Sequence, residues 1–303
     1  MPTLSIFGAI GKQGSAVLSA VLADGAFTPR AVTRSPDSDS AKALKTKGVE
    51  VVKGDLFDVE SLKEAIKGSD AVFGVTNFWD PAVFPGTPNG SGEIVQGKNL
   101  VDAAKAVGVK FFVWSGLPSS TALSNGKYSK VYHIDSKAEI CEYLKSSGVP
   151  CAAVDTGYFA DNLVGWALQK TDTGYTIPVA KYSPTSTQTF TWVANDLGPS
   201  VVALLKNYRD SPKNILRKAF PVVTFIETYP AVANKISAAI GKEVTFVSID
   251  TAGLEELDVM YAYQSDCGLY KDTPVPNPDL VALGAKFGTL EDFISSEIVP
   301  HFS

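Results

Sequence analysis

Three glycines near the start of the chain, Gly8, Gly11 and Gly14, are spaced three residues apart in the stretch IFGAIGKQGSAV. The apolar run before them is typical of a buried strand, and the apolar residues after them repeat at helical spacing. A glycine turn between a strand and a helix lets a phosphate approach the backbone, where free N–H groups and the helix dipole favour an anion. A tight turn without a ligand is the alternative for the glycines alone. The order strand, turn, helix and second strand favours a dinucleotide phosphate site.

Arg34 ends the predicted second strand, TPRAVTR, where an NAD-binding chain usually carries Asp or Glu for the ribose hydroxyls. Because a guanidinium pairs well with a 2′-phosphate, Arg34 favours NADP(H) over NAD(H), with a solvated surface arginine as the alternative. Asp55 and Leu56 end the third predicted strand, where a side chain can reach an adenine edge. The predicted cofactor is therefore NADP(H).

The stretch VYHIDSK places His133 and Lys137 four residues apart, on one face of a predicted helix. Ordinary short-chain reductases carry Tyr-x-x-x-Lys, in which the tyrosine donates a proton and the lysine lowers its pKa and holds the ribose. Tyr132 is one position off and is predicted to point elsewhere. His133 is a candidate proton donor, but packing at the helix start is the favoured role. Lys137 is predicted to be a cofactor ligand, with a surface lysine as the alternative.

Aromatic residues gather where a substrate pocket is expected. The fourth predicted strand ends in Thr76, Asn77, Phe78 and Trp79, at the crevice of the sheet. Packing between lobes is the alternative role for the two aromatic residues. A small apolar or aromatic acceptor is predicted to bind among Phe78, Trp79, Tyr158, Phe159 and Trp166, with Trp192 and Tyr261 as further candidates.

Strand-like and helix-like segments alternate through the first half, which predicts a parallel sheet covered by helices on both faces. The later segments PCAAVDT and AFPVVTF are predicted to extend this sheet, and residues 80–92, 171–188 and 271–279 are predicted loops. Helices near Tyr229–Ile240 and Leu254–Tyr263 and the strand EVTFVSI predict a smaller lobe. The expected fold is α/β: a Rossmann doubly wound parallel sheet with a smaller α/β substrate-side lobe. Residues 1–155 are the predicted NAD(P)-binding domain, completed by segments near 190–226, and 156–303 are mainly the interwoven lobe.

The composition argues against several functional classes. The net charge of −5 and the absence of a basic run argue against a nucleic-acid surface. The three cysteines lack CxxC spacing and there are only two histidines, so neither a disulfide framework nor a metal site is expected. No stretch has the pattern of a leader peptide or the length of a membrane span, which favours a soluble, cytoplasmic protein.

Ordered motifs along the chain resemble the NmrA-like family of atypical short-chain dehydrogenase/reductases. They include FGAIGKQG, GDLFD, VTNFWD, HIDSKAEICEYLKSSGVP, GYFADNL and NDLGPSVVALL. The resemblance runs from residue 3 to about 205 and is traceable through VMYAY. It implies a Rossmann fold and NADP(H) binding, in a family that includes redox-sensing transcriptional co-regulators and is related to isoflavone-reductase-like enzymes and quinone oxidoreductases.

The resemblance also implies site residues. Cofactor contacts are expected at Gly8, Ile10, Gly11, Lys12, Gln13, Gly14, Arg34, Ser35, Asp55, Leu56, Thr76, Asn77, Phe78, Ser115, Lys137, Tyr158 and Phe159. Ile10 replaces the usual Thr, so a hydroxyl is absent, but backbone N–H groups are expected to preserve binding. Two functions stay open: an NADPH-dependent reductase, or a non-catalytic NADPH/NADP⁺ sensor that contacts a protein partner and can act in the nucleus.

Overall fold

The computed structural model of the protein describes residues 1–86, 89–271 and 273–303. Its strands are β1 (Thr3–Phe7), β2 (Thr28–Thr33), β3 (Glu50–Lys53), β4 (Ala71–Gly74), β5 (Phe111–Gly116), β6 (Cys151–Thr156), β7 (Tyr158–Phe159), β8 (Gln169–Lys170), β9 (Gly174–Ala180), β10 (Thr187–Thr191), β11 (Ala219–Val222), β12 (Phe225–Thr228) and β13 (Glu243–Ile249).

Its α-helices are α1 (Lys12–Asp24), α2 (Asp39–Thr46), α3 (Val59–Ile66), α4 (Ser91–Val107), α5 (Ser120–Leu123), α6 (Tyr132–Ser146), α7 (Gly198–Asn207), α8 (Tyr229–Ile240), α9 (Glu255–Asp266), α10 (Pro278–Ala282), α11 (Leu290–Phe293) and α12 (Val299–Phe302). Short π-helical turns lie at Leu163–Ala167, Val193–Leu197 and Ile294–Ile298.

Seven of the described strands form one parallel sheet in the order β11-β6-β5-β4-β1-β2-β3. The chain order reverses between β1 and β4, and doubly wound sheets bind ligands in the crevice outside the carboxyl ends at that point. The strands FFVWSG and CAAVDT are buried along their whole length, as expected for strands covered on both faces. The predicted Rossmann-type α/β fold is confirmed.

The side chains of β5 alternate between two apolar layers. Phe111 and Val113 pack in the layer that contains residues of α1 and α7, whereas Phe112 and Trp114 pack in the layer that contains residues of α3, α4 and α6. The indole Nε1–H of Trp114 donates to the carbonyl of Lys137 at 3.1 Å and fixes α6 against the sheet. This contact sets the position of the helix that carries His133 and Lys137.

The smaller lobe has its own apolar core, rich in aromatic side chains such as Tyr182, Tyr229, Tyr263 and Phe293. Its described strands form two sheets, in the orders β12-β10-β7 and β13-β9-β8. Val131 and Ile134, at the start of α6, belong to this core as well. Helix α6 therefore packs against both the central sheet and the smaller lobe.

The prediction of a loop over residues 171–188 is wrong, because this segment contains β9 and the start of β10. Pro178 and the Ser/Thr content suggested a loop, but Tyr175, Ile177 and Val179 have the residue types of a strand. Among the described residues, strand β8 pairs only with Tyr175 and Thr176 of β9. The rest of β9, which includes Pro178, therefore has one edge without a strand partner, where a proline is tolerated. The other two predicted loops include Thr87, Pro88 and Asp272, which lie outside the described residues.

The segment AFPVVTF divides between the two sheets. Ala219–Val222 extends the central sheet beside β6 as predicted, whereas Phe225 begins β12 in the lobe. Where the chain crosses between the central sheet and the smaller lobe, the Gly157 N–H donates to Thr191 Oγ1 at 2.7 Å, and the Trp192 N–H donates to Thr224 Oγ1 at 2.7 Å. The Thr191 hydroxyl in turn donates to the Val222 carbonyl. Hydrogen bonds thus join three neighbouring crossings of the chain.

None of the helices in the described part of the chain is long and apolar enough to cross a membrane.

Candidate functional site

Two adjoining cavities lie at the carboxyl ends of the central strands. The first, which we call the groove, has a volume of about 450 Å³ and is lined by the glycine turn and the ends of β2, β3 and β4. The second, which we call the aromatic cavity, has a volume of about 530 Å³ and lies between the sheet and the lobe. Both are lined by Lys12, Gln13, Thr76, Asn77 and Phe159. The two cavities therefore lie side by side.

The glycines of the turn serve different purposes. Gly8 has φ +63°, a conformation that side chains rarely adopt, and a Cβ at Gly14 would lie 2.2 Å from the Gly8 carbonyl oxygen. A Cβ at Gly11 would meet only that oxygen, at 3.4 Å, and Gly11 lines the groove. Gly8 and Gly14 are thus needed for the turn itself, whereas Gly11 leaves the groove open.

The first turn of α1 has no side-chain cap and no acidic residue. The N–H groups of Lys12, Gln13 and Gly14 have no partner within the helix, because they belong to its first turn, and all three residues line the groove. Unpaired N–H groups and the positive end of the helix dipole form an anion site. The glycine turn therefore fits a dinucleotide pyrophosphate, as its sequence predicts. Ile10 is 43% exposed and also lines the groove.

Arg34 lies at the rim of the groove and forms an ion pair with Asp80, with 2.5 Å between Nη2 and Oδ2. The sequence indicated Arg34 but gave no sign of this partner, which belongs to the turn after β4. Asp55 and Leu56 line the groove as well. Ser35 is exposed and is not among the residues that line the two cavities.

A buried carboxylate that the sequence analysis missed, Glu93 of α4, holds Lys137. Glu93 is 0% exposed, and its Oε1 accepts hydrogen bonds from Lys137 Nζ at 2.5 Å and from Thr76 Oγ1 at 2.7 Å. Its Oε2 accepts a hydrogen bond from the Ser136 hydroxyl. Because both oxygens are engaged, the Lys137 ammonium has one fixed position at the wall of the aromatic cavity.

His133 lies one turn before Lys137, as predicted, and also lines the aromatic cavity. Its Nδ1 is 2.5 Å from Glu256 Oε1, and its backbone N–H donates to the same oxygen at 2.9 Å. Its ring centroid lies 5.8 Å from that of Phe78 and 5.5 Å from that of Trp79. Glu256, on α9 of the lobe, was also missed, since nothing in the sequence connects it with residue 133.

The aromatic cavity contains the predicted aromatic residues with one exception. Phe78, Trp79, Tyr158, Phe159, Trp166 and Tyr261 line it, whereas Trp192 packs against Phe293 in the core of the lobe. Trp79 is 41% and Trp166 is 54% exposed, so both rings reach the mouth of the cavity. Burial and the neighbouring phenol of Tyr261 raise the pKa of Tyr158 well above its usual value, so its hydroxyl stays protonated.

Two polar contacts lie at the boundary between the cavities. Ser115 Oγ donates to Gln13 Oε1 at 2.5 Å, and Lys12 Nζ donates to Asn162 Oδ1 at 2.8 Å. The far wall of the aromatic cavity is formed by α9 through Leu257, Met260 and Gln264, which the sequence analysis did not indicate. In the part of the chain that the structure describes, no cluster of three or more His, Cys, Asp or Glu side chains has the arrangement of a metal site.

Comparison with known proteins agrees with this geometry. The model of the NmrA-like family matches residues 2–276. The chain belongs to the NmrA-like family. Over 263 residues it is 31% identical to the NmrA-like family domain-containing oxidoreductase notA of Aspergillus sp. (strain MF297-2), an alignment that covers 82% of this chain and 76% of that protein.

Solved structures of this fold include NmrA, a negative transcriptional regulator, in complex with NADP. It has 18% sequence identity and a TM-score of 0.79, and the match covers 99% of this chain and 97% of that one. An NADPH-dependent quinone oxidoreductase from Escherichia coli in complex with NADPH has 20% identity and a TM-score of 0.73, with 97% of this chain and 99% of that one covered. These two likenesses show the fold that this NmrA-like chain adopts.

Proposed function

We propose that this NmrA-like protein is an NADP(H)-dependent oxidoreductase that reduces a small apolar or aromatic acceptor. The observation that carries the proposal is that the two cavities adjoin and share lining residues. An anion-binding helix terminus and Arg34 line the groove, and a fixed lysine and an aromatic wall line the adjoining cavity. The name of the Aspergillus relative, an oxidoreductase, supports the same class of activity.

Each cofactor contact follows from a group that lies on the groove. The N–H groups at the start of α1 would bind the pyrophosphate, Arg34 the 2′-phosphate, and Asp55 with Leu56 the adenine end. NADPH would supply the hydride. Lys137, which Glu93 holds in place, would orient the ribose next to the nicotinamide, at the boundary with the aromatic cavity.

The aromatic cavity would hold a flat acceptor against Phe78, Tyr158 and the rings at its mouth, and would exclude most of the water. When Nδ1 of His133 donates its hydrogen bond to Glu256, Nε2 carries a proton only in the imidazolium form of the ring. His133 can then donate from Nε2, and otherwise a water at the mouth donates. Positioning by Lys137 is therefore expected to matter more than proton donation.

Calorimetric titration with NADPH and NADH tests the cofactor. We expect NADPH to bind at least about tenfold more tightly, because a charge-assisted contact to the 2′-phosphate contributes about 1.5–3 kcal/mol. The variant Arg34→Ala is expected to lose this preference and to keep its affinity for NADH. Equal affinities for the two dinucleotides in the wild type, or an unchanged preference in the variant, would reject the assignment.

A second function, a sensor of the NADPH/NADP⁺ ratio that acts through a protein partner, is favoured by one observation. The position of the usual catalytic tyrosine holds His133, which is bound to Glu256 of the lobe. A panel of quinones, imines, aldehydes and enones, each assayed for NADPH oxidation, separates the two functions. Turnover of any acceptor supports the reductase, whereas tight NADPH binding without turnover favours the sensor.

A further inference from the structure

We propose that Asp80 is a specificity-determining residue that competes with the 2′-phosphate for Arg34 and so weakens the preference for NADPH over NADH. The inference rests on the proposed binding of NADP(H) in the groove. It concerns a residue that the sequence analysis did not assign to the cofactor site.

Both carboxylate oxygens of Asp80 contact the guanidinium of Arg34. Asp80 Oδ2 lies 2.5 Å from Nη2, and Oδ1 accepts from Nη1 at 3.5 Å. The Asp80 side chain is only 15% exposed, whereas that of Arg34 is 54% exposed, and both residues line the groove. The partner of the arginine therefore lies on the side where a phosphate would have to bind.

The turn after β4 fixes the position of Asp80. Its Oδ1 accepts a hydrogen bond from the Ala82 N–H at 2.9 Å, and its own N–H donates to the Asn77 carbonyl at 3.1 Å. Its carbonyl accepts from the N–H groups of Val83 at 2.7 Å and Phe84 at 2.9 Å. Although burial opposes ionisation, the Ala82 N–H and the Arg34 guanidinium lower the pKa of Asp80 below its usual value. The hydrogen bond from the Ala82 N–H does not depend on Arg34, so it holds the Asp80 side chain at the groove when Arg34 turns toward another anion.

The charges on the groove favour such competition. The charged side chains that line it are the cations of Lys12 and Arg34 and the carboxylates of Asp55 and Asp80. A 2′-phosphate bound to Arg34 either displaces Asp80 or lies next to it, and both arrangements cost free energy that the binding of NADH does not. Like charges a few ångströms apart at a protein surface repel each other even when solvent and salt partly screen them.

The variant Asp80→Asn removes the charge and keeps the oxygen that accepts from Ala82. Calorimetric titrations at low ionic strength compare it with the wild type, using NADPH and NADH as probes. We expect NADPH to bind roughly three- to tenfold more tightly to the variant and NADH to bind within about twofold of the wild type.

Asp39→Asn is the matched control. It makes the same change of net charge five residues after Arg34, at the first residue of α2, where the side chain is fully exposed and pairs only loosely with Lys42 at 3.6 Å. We expect both dinucleotides to bind to this variant within about twofold of the wild type. Far-ultraviolet circular dichroism and thermal melting of each variant establish that it is folded.

The outcomes separate this inference from the proposed function. If the wild type binds neither dinucleotide, the proposed function fails and the inference fails with it. If the wild type binds NADPH but Asp80→Asn binds it equally or less tightly, the competition is rejected, and weaker binding would mean that Asp80 orients Arg34 for the phosphate. An equal gain in affinity for NADH, or the same gain in Asp39→Asn, would reject it as a general charge effect.

Discussion

The groove and the aromatic cavity share five lining residues, yet they are built in different ways. In the groove, the predicted anion site consists of backbone N–H groups from one short segment, the glycine turn and the first turn of α1. In the aromatic cavity, side chains from distant segments provide the chemistry: Lys137 is held by Glu93 of α4, and His133 by Glu256 of α9. A backbone site tolerates changes of side chain but not added volume, whereas a site made of side chains depends on each partner.

The sharpest test of this difference compares one added methyl group at two glycines. Gly14→Ala should destabilise the fold by more than about 4 kcal/mol, because its Cβ would overlap the Gly8 carbonyl oxygen. Gly11→Ala should fold with nearly the wild-type melting temperature and bind NADPH at least about tenfold more weakly, since its methyl group enters the groove. Thermal melting and fluorescence titration measure the two effects. Similar stabilities for the two variants would contradict this division of roles.

Removal of the carboxylate of Glu93 tests the side-chain site. Glu93→Gln leaves the buried ammonium of Lys137 without a counter-charge, and we expect a loss of about 3–5 kcal/mol in the free energy of unfolding. Glu139→Gln is the control, because its pair with Lys98, at 2.7 Å, joins the same two helices at the surface and should contribute less than about 1 kcal/mol. Urea unfolding of both variants measures the difference, and equal losses would show that the buried position has no special effect.

The buried carboxyl group of Asp155, beside Gly116 at the edge of the aromatic cavity, gives a dependence on pH. Burial raises its pKa to about 7, with the charge of Lys145 opposing the shift. The folded protein therefore binds more protons than the unfolded chain between about pH 4 and pH 7, and its stability falls as the pH rises through that range. Asp155→Asn should be more stable than the wild type by up to about 4 kcal/mol at pH 8, and no more stable at pH 4. A difference that does not change with pH would contradict the shift.

Kinetics separate the roles of the two residues on α6. Once an acceptor is found, Lys137→Met should lower kcat by about a hundredfold, because the hydride donor would no longer be aligned with the acceptor. His133→Ala should lower kcat by less than about tenfold, since a water can supply the proton. The opposite order would identify His133 as an obligate acid. If no acceptor reacts, Lys137→Met should change only the affinity for the dinucleotide.

The same contrast explains what the sequence could predict. The glycine spacing and Arg34 are local patterns, and they located the groove because a strand-turn-helix unit and the end of the next strand form part of its wall. The spacing of His133 and Lys137 likewise placed both on one face of a helix. Glu93 and Glu256 were missed because their burial and their partners depend on contacts between segments far apart in the chain. Asp80 was missed for the same reason: the turn that carries it approaches β2 only in the folded protein.

The three short crossings between the central sheet and the lobe have a consequence for cooperativity. Gly157 alone links β6 to β7, Val223 and Thr224 link β11 to β12, and Trp192 alone links β10 to the π-helical turn before α7. Hydrogen bonds join these three links to one another. A hinge needs a few residues that are free to change their backbone angles, and these crossings provide none. We therefore expect sheet and lobe to unfold in a single transition, and the aromatic cavity to select its ligand by a preformed shape instead of by closing around it.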